Sequence, residues 1–161
     1  MEIPSKDDWE KAWAGLDEAC AYRNFCGKSL VEAHDLFVQC AIVYQEDLVY
    51  MPEKPLRYYV RAYIQYMRSE KSRGDSDAAN CFLGLIETRL RDHPEWIEGS
   101  WSQIDPVLQR IGDQQEEFYD ASQSIYGDFA KKVGRLIKKR TEAQQGAAGQ
   151  PATTPESEIE P

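Results

Sequence analysis

Features that accompany common catalytic and metal-binding sites are missing from this sequence. None of its four cysteines lies in a C-x-x-C pair, and only two histidines accompany them, so we expect no zinc site. There is no Gly-rich phosphate loop, no H-E-x-x-H motif and no G-x-S-x-G motif. These absences predict a protein with no catalytic residues, no bound metal and no cofactor, and therefore not an enzyme.

Signals for export and membrane insertion are also missing. The first residues, MEIPSKDDWEKAW, are acidic and polar, whereas a secretory signal is basic and then apolar. No apolar run approaches the roughly 18 residues that indicate a membrane span. We therefore expect a cytoplasmic protein with reduced thiols and no transmembrane segment.

What the sequence does contain is an uneven distribution of charge. The net charge is −9, but residues 1–130 hold 13 Lys and Arg residues against 24 Asp and Glu residues. Such an acidic body repels phosphate backbones and attracts basic partners, which makes nucleic acid an unlikely partner and another protein the expected one.

A basic segment follows the acidic body. It consists of six cationic and no acidic residues within positions 131–140. At a helix end these cations offset the negative helix terminus. The alternative is an amphipathic basic helix that binds nucleic acid, a membrane or the acidic body of the protein itself. The cations are Lys131, Lys132, Arg135, Lys138, Lys139 and Arg140.

Apolar spacings of three and four residues predict helices through most of the chain. With 161 residues and 42% hydrophobic residues, the sequence can form one domain with its own core. We predict an all-α fold: a bundle of five to six helices over residues 1–143, whose long C-terminal helix is kinked near Gly127. Residues 144–161, rich in Gly, Ala, Pro, Thr and Glu, are predicted to be a disordered tail.

The first two helices are predicted from start and stop signals. Ser5 should begin the first helix and Gly27 should end it. Ser29 and Glu32 form a capping-box pattern that should begin the second. The first helix should place its apolar residues on one stripe. The second should have one solvent-exposed face opposite its core residues. The stripe comprises Trp9, Trp13, Leu16 and Cys20, and the predicted core residues of the second helix include Leu36, Phe37, Cys40 and Tyr44.

The clearest periodicity lies between Pro55 and Leu90. Two amphipathic helices are predicted there, separated by a Gly-Asp-Ser-Asp turn in which Ser76 or Asp75 caps the second helix. The first of them should point six apolar residues inward and its arginines outward. These inward residues are Leu56, Tyr59, Val60, Tyr63, Ile64 and Met67.

The arginines of this helix form a candidate binding strip with the tyrosines beside them. Guanidinium groups engage carboxylates and phosphates bidentately, so the strip could contact a partner; alternatively, its arginines pair with the acids of the protein itself. The strip consists of Arg57, Tyr58, Arg61, Tyr66 and Arg68.

A seven-residue repeat follows a connector at residues 94–105. Ile104, Ile111, Phe118 and Ile125 recur at this interval, as in a coiled-coil seam. The repeat predicts either one long helix over residues 106–142 or two helices joined near Gly127. It also predicts homodimerisation through the seam.

Residues 48–90 resemble uncharacterised small helical bacterial proteins that share an R-Y-Y-x-x-A-Y run followed by G-D-S-D. In this sequence the first run begins at Arg57 and the second at Gly74. The resemblance implies a helical fold and no particular activity.

These features favour a non-enzymatic protein-interaction domain of a bacterial cytosolic protein. The acidic charge fits an immunity-type protein that binds and neutralises a basic toxin. The alternative is a regulatory or nucleic-acid-associated module that acts through the basic segment 131–140.

Overall fold

The computed structural model describes residues 1–9 and 15–148, and the side chains within them up to residue 145. Over these ranges the protein contains α-helices and short 3-10 turns and no β-strand, which confirms the predicted all-α class. The described residues form seven α-helices rather than the predicted five to six. They are α1 (Leu16–Phe25), α2 (Leu30–Tyr50), α3 (Glu53–Arg68), α4 (Ser76–Asp92), α5 (Trp101–Asp113), α6 (Gln123–Tyr126) and α7 (Phe129–Ala148).

Helices α2 and α3 form the centre of the packing. Helix α2 contacts α1, α3 and α4, whereas α7 packs on α4 and α5. Helix α3 also contacts α5, and thereby links the two groups. None of the described helices has both the length and the apolar character required to cross a lipid bilayer.

The predicted start and stop signals operate as expected at three positions. The Ser29 hydroxyl accepts from the Glu32 N–H at 3.3 Å, while the Ser29 N–H donates to Glu32 Oε2 at 2.8 Å, which completes the capping box. Asp75 caps α4 by accepting from the Ala78 N–H at 3.0 Å. Gly27 ends the first helical segment with a φ of 78°, a conformation that favours glycine.

The core contains a row of aromatic rings contributed by five elements, the 3-10 turn Lys6–Trp9 and helices α1 to α4. Phe37 of α2 stacks on Tyr63 of α3 with ring centroids 4.7 Å apart, and Tyr63 meets Phe82 of α4 at 5.3 Å. On the other side of Phe37, the row continues to Phe25 at a centroid distance of 5.8 Å. Phe25 lies 5.1 Å from Tyr59, and Tyr59 lies 6.2 Å from Trp9. We call this set the aromatic row: Trp9, Tyr59, Phe25, Phe37, Tyr63 and Phe82.

The N-terminal region differs from its prediction. A 3-10 turn spans Lys6–Trp9, and α1 begins only at Leu16. The buried side of α1 is set by Phe25, and nine residues at 100° per residue place Leu16 opposite it. Leu16 is consequently 87% exposed, so its predicted inward position is wrong. Trp9 is buried as predicted, and Trp13 lies outside the described residues.

The region after α4 contains more breaks than predicted. Helix α5 begins at Trp101 rather than at the Asp105-Pro106 pair, and it ends at Asp113. The predicted break near Gly127 is present, since this residue has a φ of 72° and precedes α7. Helix α7 continues to Ala148, past the tail boundary predicted at residue 143, while the tail from residue 149 onward lies outside the described residues.

The predicted dimer seam is not a surface. Ile104 and Ile111 are fully buried and Phe118 is 3% exposed, because the turn between α5 and α6 folds Phe118 back onto the core. Only Ile125, at 77% exposure, lies outside. Three of the four seam residues are therefore not available at the surface to a second copy of the chain.

Buried Gln115 stabilises the junction between α6 and α7. Its Nε2 donates to the Gly127 carbonyl at 2.8 Å, and its Oε1 accepts from the Phe129 N–H at 2.8 Å. One side-chain amide thus satisfies backbone groups on both sides of the turn, including a free N–H at the start of α7. This buried polar residue is therefore a structural anchor for the start of α7.

Candidate functional site

Helix α2 has apolar residues on its solvent-facing side. Val31, Val38, Ile42 and Val43 are 71%, 38%, 48% and 55% exposed. We call these four residues the outer face of α2. Among the described side chains, every other α-helix leaves at most one large hydrophobic side chain exposed. Exposed apolar groups concentrated in this way mark interaction surfaces more often than scattered single ones do.

The solvent-exposed face predicted for α2 therefore contains apolar residues among its polar ones. Val38 and Ile42 lie seven and eleven residues after Val31, and these spacings place all three on one side of a helix. The signal was present in the sequence, but it was obscured by the acids predicted to form the opposite face.

A kink divides α2 at Cys40. This residue has non-helical φ and ψ values of −163° and 85°, and its side chain is exposed. The prediction that Cys40 points into the core is wrong, because the kink turns it away while Phe37 and Ala41 on either side stay buried.

The charge on α2 is entirely acidic. The helix contains no Lys or Arg, and it carries Glu32, Asp35 and Glu46 as exposed carboxylates. Donation from the Ser29 backbone N–H holds the pKa of Glu32 below its usual value, so this carboxylate is ionised at neutral pH. A fourth acid, Asp47, is buried and accepts from Asn24 Nδ2 at 2.8 Å.

The predicted arginine and tyrosine strip does not form one surface. Tyr58 and Tyr66 are 5% and 3% exposed, since α3 is enclosed on more sides than its apolar spacing indicated. The Tyr66 hydroxyl donates to Asp75 Oδ2 at 2.6 Å, so the polar group of this tyrosine is satisfied within the protein. Both tyrosines therefore belong to the core, and the prediction that they contact a partner is wrong.

Two of the three arginines of the strip lie in one cleft. Arg57 and Arg61 line it from α3, and Trp96, Gly99, Ser100 and Gln103 line it from the connector and the first turn of α5. Met1 also lines it, and we call this set of residues the arginine cleft; it borders about 520 Å³ of space, part of which is open to solvent. Arg68, the third arginine, is exposed and lies outside it.

The guanidinium group of Arg57 is held in place by two contacts. Its Nη2 donates to the Glu95 carbonyl at 2.8 Å and lies 2.7 Å from Glu53 Oε1. The predicted pairing of these arginines with the acids of the protein itself therefore applies to Arg57. It does not apply to Arg61, for which the described structure contains no hydrogen bond or ion pair.

Half of the basic segment is bound to the body of the protein. Lys139 Nζ lies 2.6 Å from Glu87 Oε1 of α4, and Lys132 Nζ donates to Asn80 at 2.9 Å. Arg140 contacts both carboxylate oxygens of Asp105, at 3.0 and 2.8 Å, and stacks over Trp101 at 4.4 Å. These contacts fix α7 on α4 and α5.

The remaining cations of the segment face solvent. Lys131 and Lys138 have side chains that are each 78% exposed, and they make ion pairs only within their own stretch of chain. Arg135 is exposed and makes no hydrogen bond or ion pair in the described structure.

Within the described residues, no group of three or more His, Cys, Asp or Glu side chains is arranged to hold a metal ion. The four cysteines are free thiols. Comparison of the chain with known protein families, curated proteins and solved structures gave no match. Its function must therefore be argued from its own surfaces.

Proposed function

We propose that this protein is a non-enzymatic protein-interaction domain whose partner docks on the outer face of α2. The observation that supports this proposal is the exposure of four aliphatic side chains on that one helix. Burying such side chains against a partner contributes about 25 cal/mol for each Å² of apolar surface removed from water. A kinked, apolar helix that is covered on three sides by α1, α3 and α4 has its remaining side available for a partner.

The chemistry of the partner follows from the charges around this face. Glu32, Asp35 and Glu46 flank the aliphatic residues, and α2 has no Lys or Arg to neutralise them. A partner that presents apolar residues rimmed by Lys and Arg satisfies both features. The overall net charge of −9 would also accelerate the encounter with a basic protein.

A basic toxin domain is a partner of this chemistry, and we propose the immunity-type role as the specific form of the interaction. An immunity protein acts by occupying its toxin, and this requires a surface but no catalytic group of its own. A toxin-like reading frame directly upstream of the gene would support this form, and its absence would count against it.

The alternative function uses the basic segment as a regulatory or nucleic-acid-binding element. The exposed positions Lys131, Arg135 and Lys138 favour it. Lys132, Lys139 and Arg140 are already engaged within the protein, which reduces the charge available for phosphate contacts.

The test compares two isoleucines of nearly equal exposure. Ile42 on α2 is 48% exposed and Ile137 on α7 is 46% exposed, so Ile137→Glu is a matched control for Ile42→Glu. Wild-type protein serves as bait in a lysate of its source cells, and the captured protein is then purified and titrated calorimetrically against each variant. We expect Ile42→Glu to weaken binding at least thirtyfold and Ile137→Glu to change it less than threefold.

Two results would contradict the proposal. One is that wild type and Ile42→Glu bind the captured protein with equal affinity, while both variants unfold at the same denaturant concentration as wild type. The other is loss of binding to DNA, RNA or anionic vesicles in Lys138→Glu with no effect of Ile42→Glu, which would establish the alternative.

A further inference from the structure

The arginine cleft brings together hydrogen-bond donors that have no acceptor. In the described structure, the side chains of Arg61, Ser100 and Gln103 make no hydrogen bond, and Arg57 Nε is buried without a partner. Buried or half-buried polar groups in folded proteins are nearly always satisfied by protein, water or ligand. These donors, which have no acceptor within the described protein, are available to an acceptor that enters the cleft.

The charge of the cleft is opposite to that of the protein. None of the described residues that line it is acidic, although acids outnumber bases by 28 to 19 in the whole chain. Two other surface clefts each include glutamates: Glu95 and Glu98 in one, Glu87 in the other. Glu53 neutralises part of the Arg57 charge at 2.7 Å, so the unpaired charge in the cleft belongs to Arg61.

The backbone adds positive potential at the same place. Ser100 and Gln103 lie at the first turn of α5, where the positive end of the helix dipole is located. The Ser100 side chain does not cap this helix, so its hydroxyl is free to face a ligand. A hydrogen-bonded anion at a helix N-terminus with an adjacent guanidinium group is a common arrangement.

We propose that the arginine cleft binds a small organic ligand through an oxyanion, either a carboxylate or a phosphate group. Arg61 and Ser100 contact the oxyanion, and Arg57, which Glu53 and the Glu95 carbonyl hold in place, completes the donor set. Trp96, whose ring stacks on His93 at 4.1 Å, also lines the cleft and contacts the apolar part of the ligand.

The experiment titrates the ¹⁵N-labelled full chain with inorganic phosphate and, separately, with benzoate, and follows amide chemical shifts. We expect the signals of Gly99, Ser100 and Gln103 to move saturably with at least one of the two probes. A response to phosphate alone assigns a phosphate-bearing ligand, and a response to benzoate alone assigns an aromatic carboxylate.

Arg68→Gln is the matched control for Arg61→Gln. Both arginines lie on α3 and neither side chain has a partner in the described structure, but only Arg61 lines the cleft. We expect Arg61→Gln to weaken binding at least tenfold and Arg68→Gln to change it less than twofold. Ser100→Ala should weaken binding by a smaller factor.

The proposal would be overturned if neither probe moved the cleft signals, or if Arg61→Gln and Arg68→Gln bound equally well. It is independent of the interaction proposed for α2, because Ile42→Glu should leave the titration unchanged. Loss of partner capture and loss of oxyanion binding are thus separately measurable.

Discussion

Helices α2 and α3 pack on each other, yet they place their apolar residues differently. Helix α3 lies wholly within the described chain and buries ten of its 16 residues. None of its other residues is a large hydrophobic one. Helix α2 has 14 hydrophobic residues among 21 and buries only part of them. A helix that is apolar on all sides is usually enclosed on all sides. The contacts of α3 are complete within one chain, whereas α2 leaves aliphatic side chains uncovered.

The largest test of this comparison removes an inward ring of α3. Tyr63 stacks on Phe37, meets Phe82 and donates to the Ala78 carbonyl at 2.8 Å. We expect Tyr63→Ala to lower the free energy of unfolding by about 3–5 kcal/mol, because it opens a cavity and leaves the carbonyl without this donor. Urea unfolding followed by circular dichroism measures the loss.

Tyr63→Phe separates the two contributions to this loss. It keeps the ring and removes the hydroxyl, so we expect a decrease of about 1 kcal/mol. If Tyr63→Ala cost no more than Tyr63→Phe, the central position assigned to α3 would be wrong.

A substitution of Asp47, on the side of α2 that faces α1, is expected to raise the free energy of unfolding by a smaller amount. Burial raises the pKa of Asp47, and the hydrogen bond from Asn24 offsets this only in part. The folded state therefore binds the Asp47 proton more tightly than the unfolded state does. The contribution of Asp47 to stability falls as the pH rises from its unfolded pKa through the raised folded value, and remains unfavourable above it.

Asp47→Asn should remove this unfavourable contribution. We expect the variant to be more stable than wild type by up to about 1 kcal/mol at neutral pH, and the gain to disappear near pH 3, where Asp47 is protonated in both states. Urea unfolding of both proteins between about pH 3 and about pH 8 measures the difference. A gain that did not vary with pH would show that desolvation of the carboxylate is not its cause.

The smallest effect on stability is expected at the outer face of α2. Val38 is 38% exposed, and Val38→Ala should change the free energy of unfolding by less than about 0.5 kcal/mol. The same substitution at fully buried Val60 of α3 should cost about 2 kcal/mol. Equal losses at the two positions, measured by urea unfolding, would remove the distinction between the helices.

The sequence was sufficient to predict the hairpin of α3 and α4. All six residues predicted to point inward from α3 are buried, and Asp75 caps α4 as one of the two expected candidates. These predictions succeeded because helical period, capping and turn chemistry act over a few residues. Each is readable without knowledge of what packs nearby.

The chain beyond α4 was less predictable because a repeat of seven does not require a continuous helix. Phe118 keeps the register of Ile104 and Ile111 in sequence, but it reaches the core from a turn. Its ring is covered by the guanidinium groups of Arg110 at 3.7 Å and Arg73 at 4.4 Å, and the contact with Arg73 joins distant segments that no local pattern encodes.

The candidate sites show the same limit. Arg57 and Arg61 were identified in the sequence, whereas Trp96, Ser100 and Gln103 lie more than 30 residues further along and join them only in the fold. The outer face of α2 was missed because its acids suggested a solvated side. In both cases the residue types could be recognised in the sequence, but their grouping in space could not.

The aromatic row has a consequence for how substitutions combine. Each interior ring contacts two neighbours at centroid distances between 4.7 and 6.2 Å, so removal of one ring lets the next relax into the space. Effects of two changes within the row should therefore differ from their sum, with coupling energies of about 0.5–3 kcal/mol in double-mutant cycles. Residues of the row would then vary together rather than independently, and the row would act as a single unit of sequence constraint linking the N-terminal turn to α4.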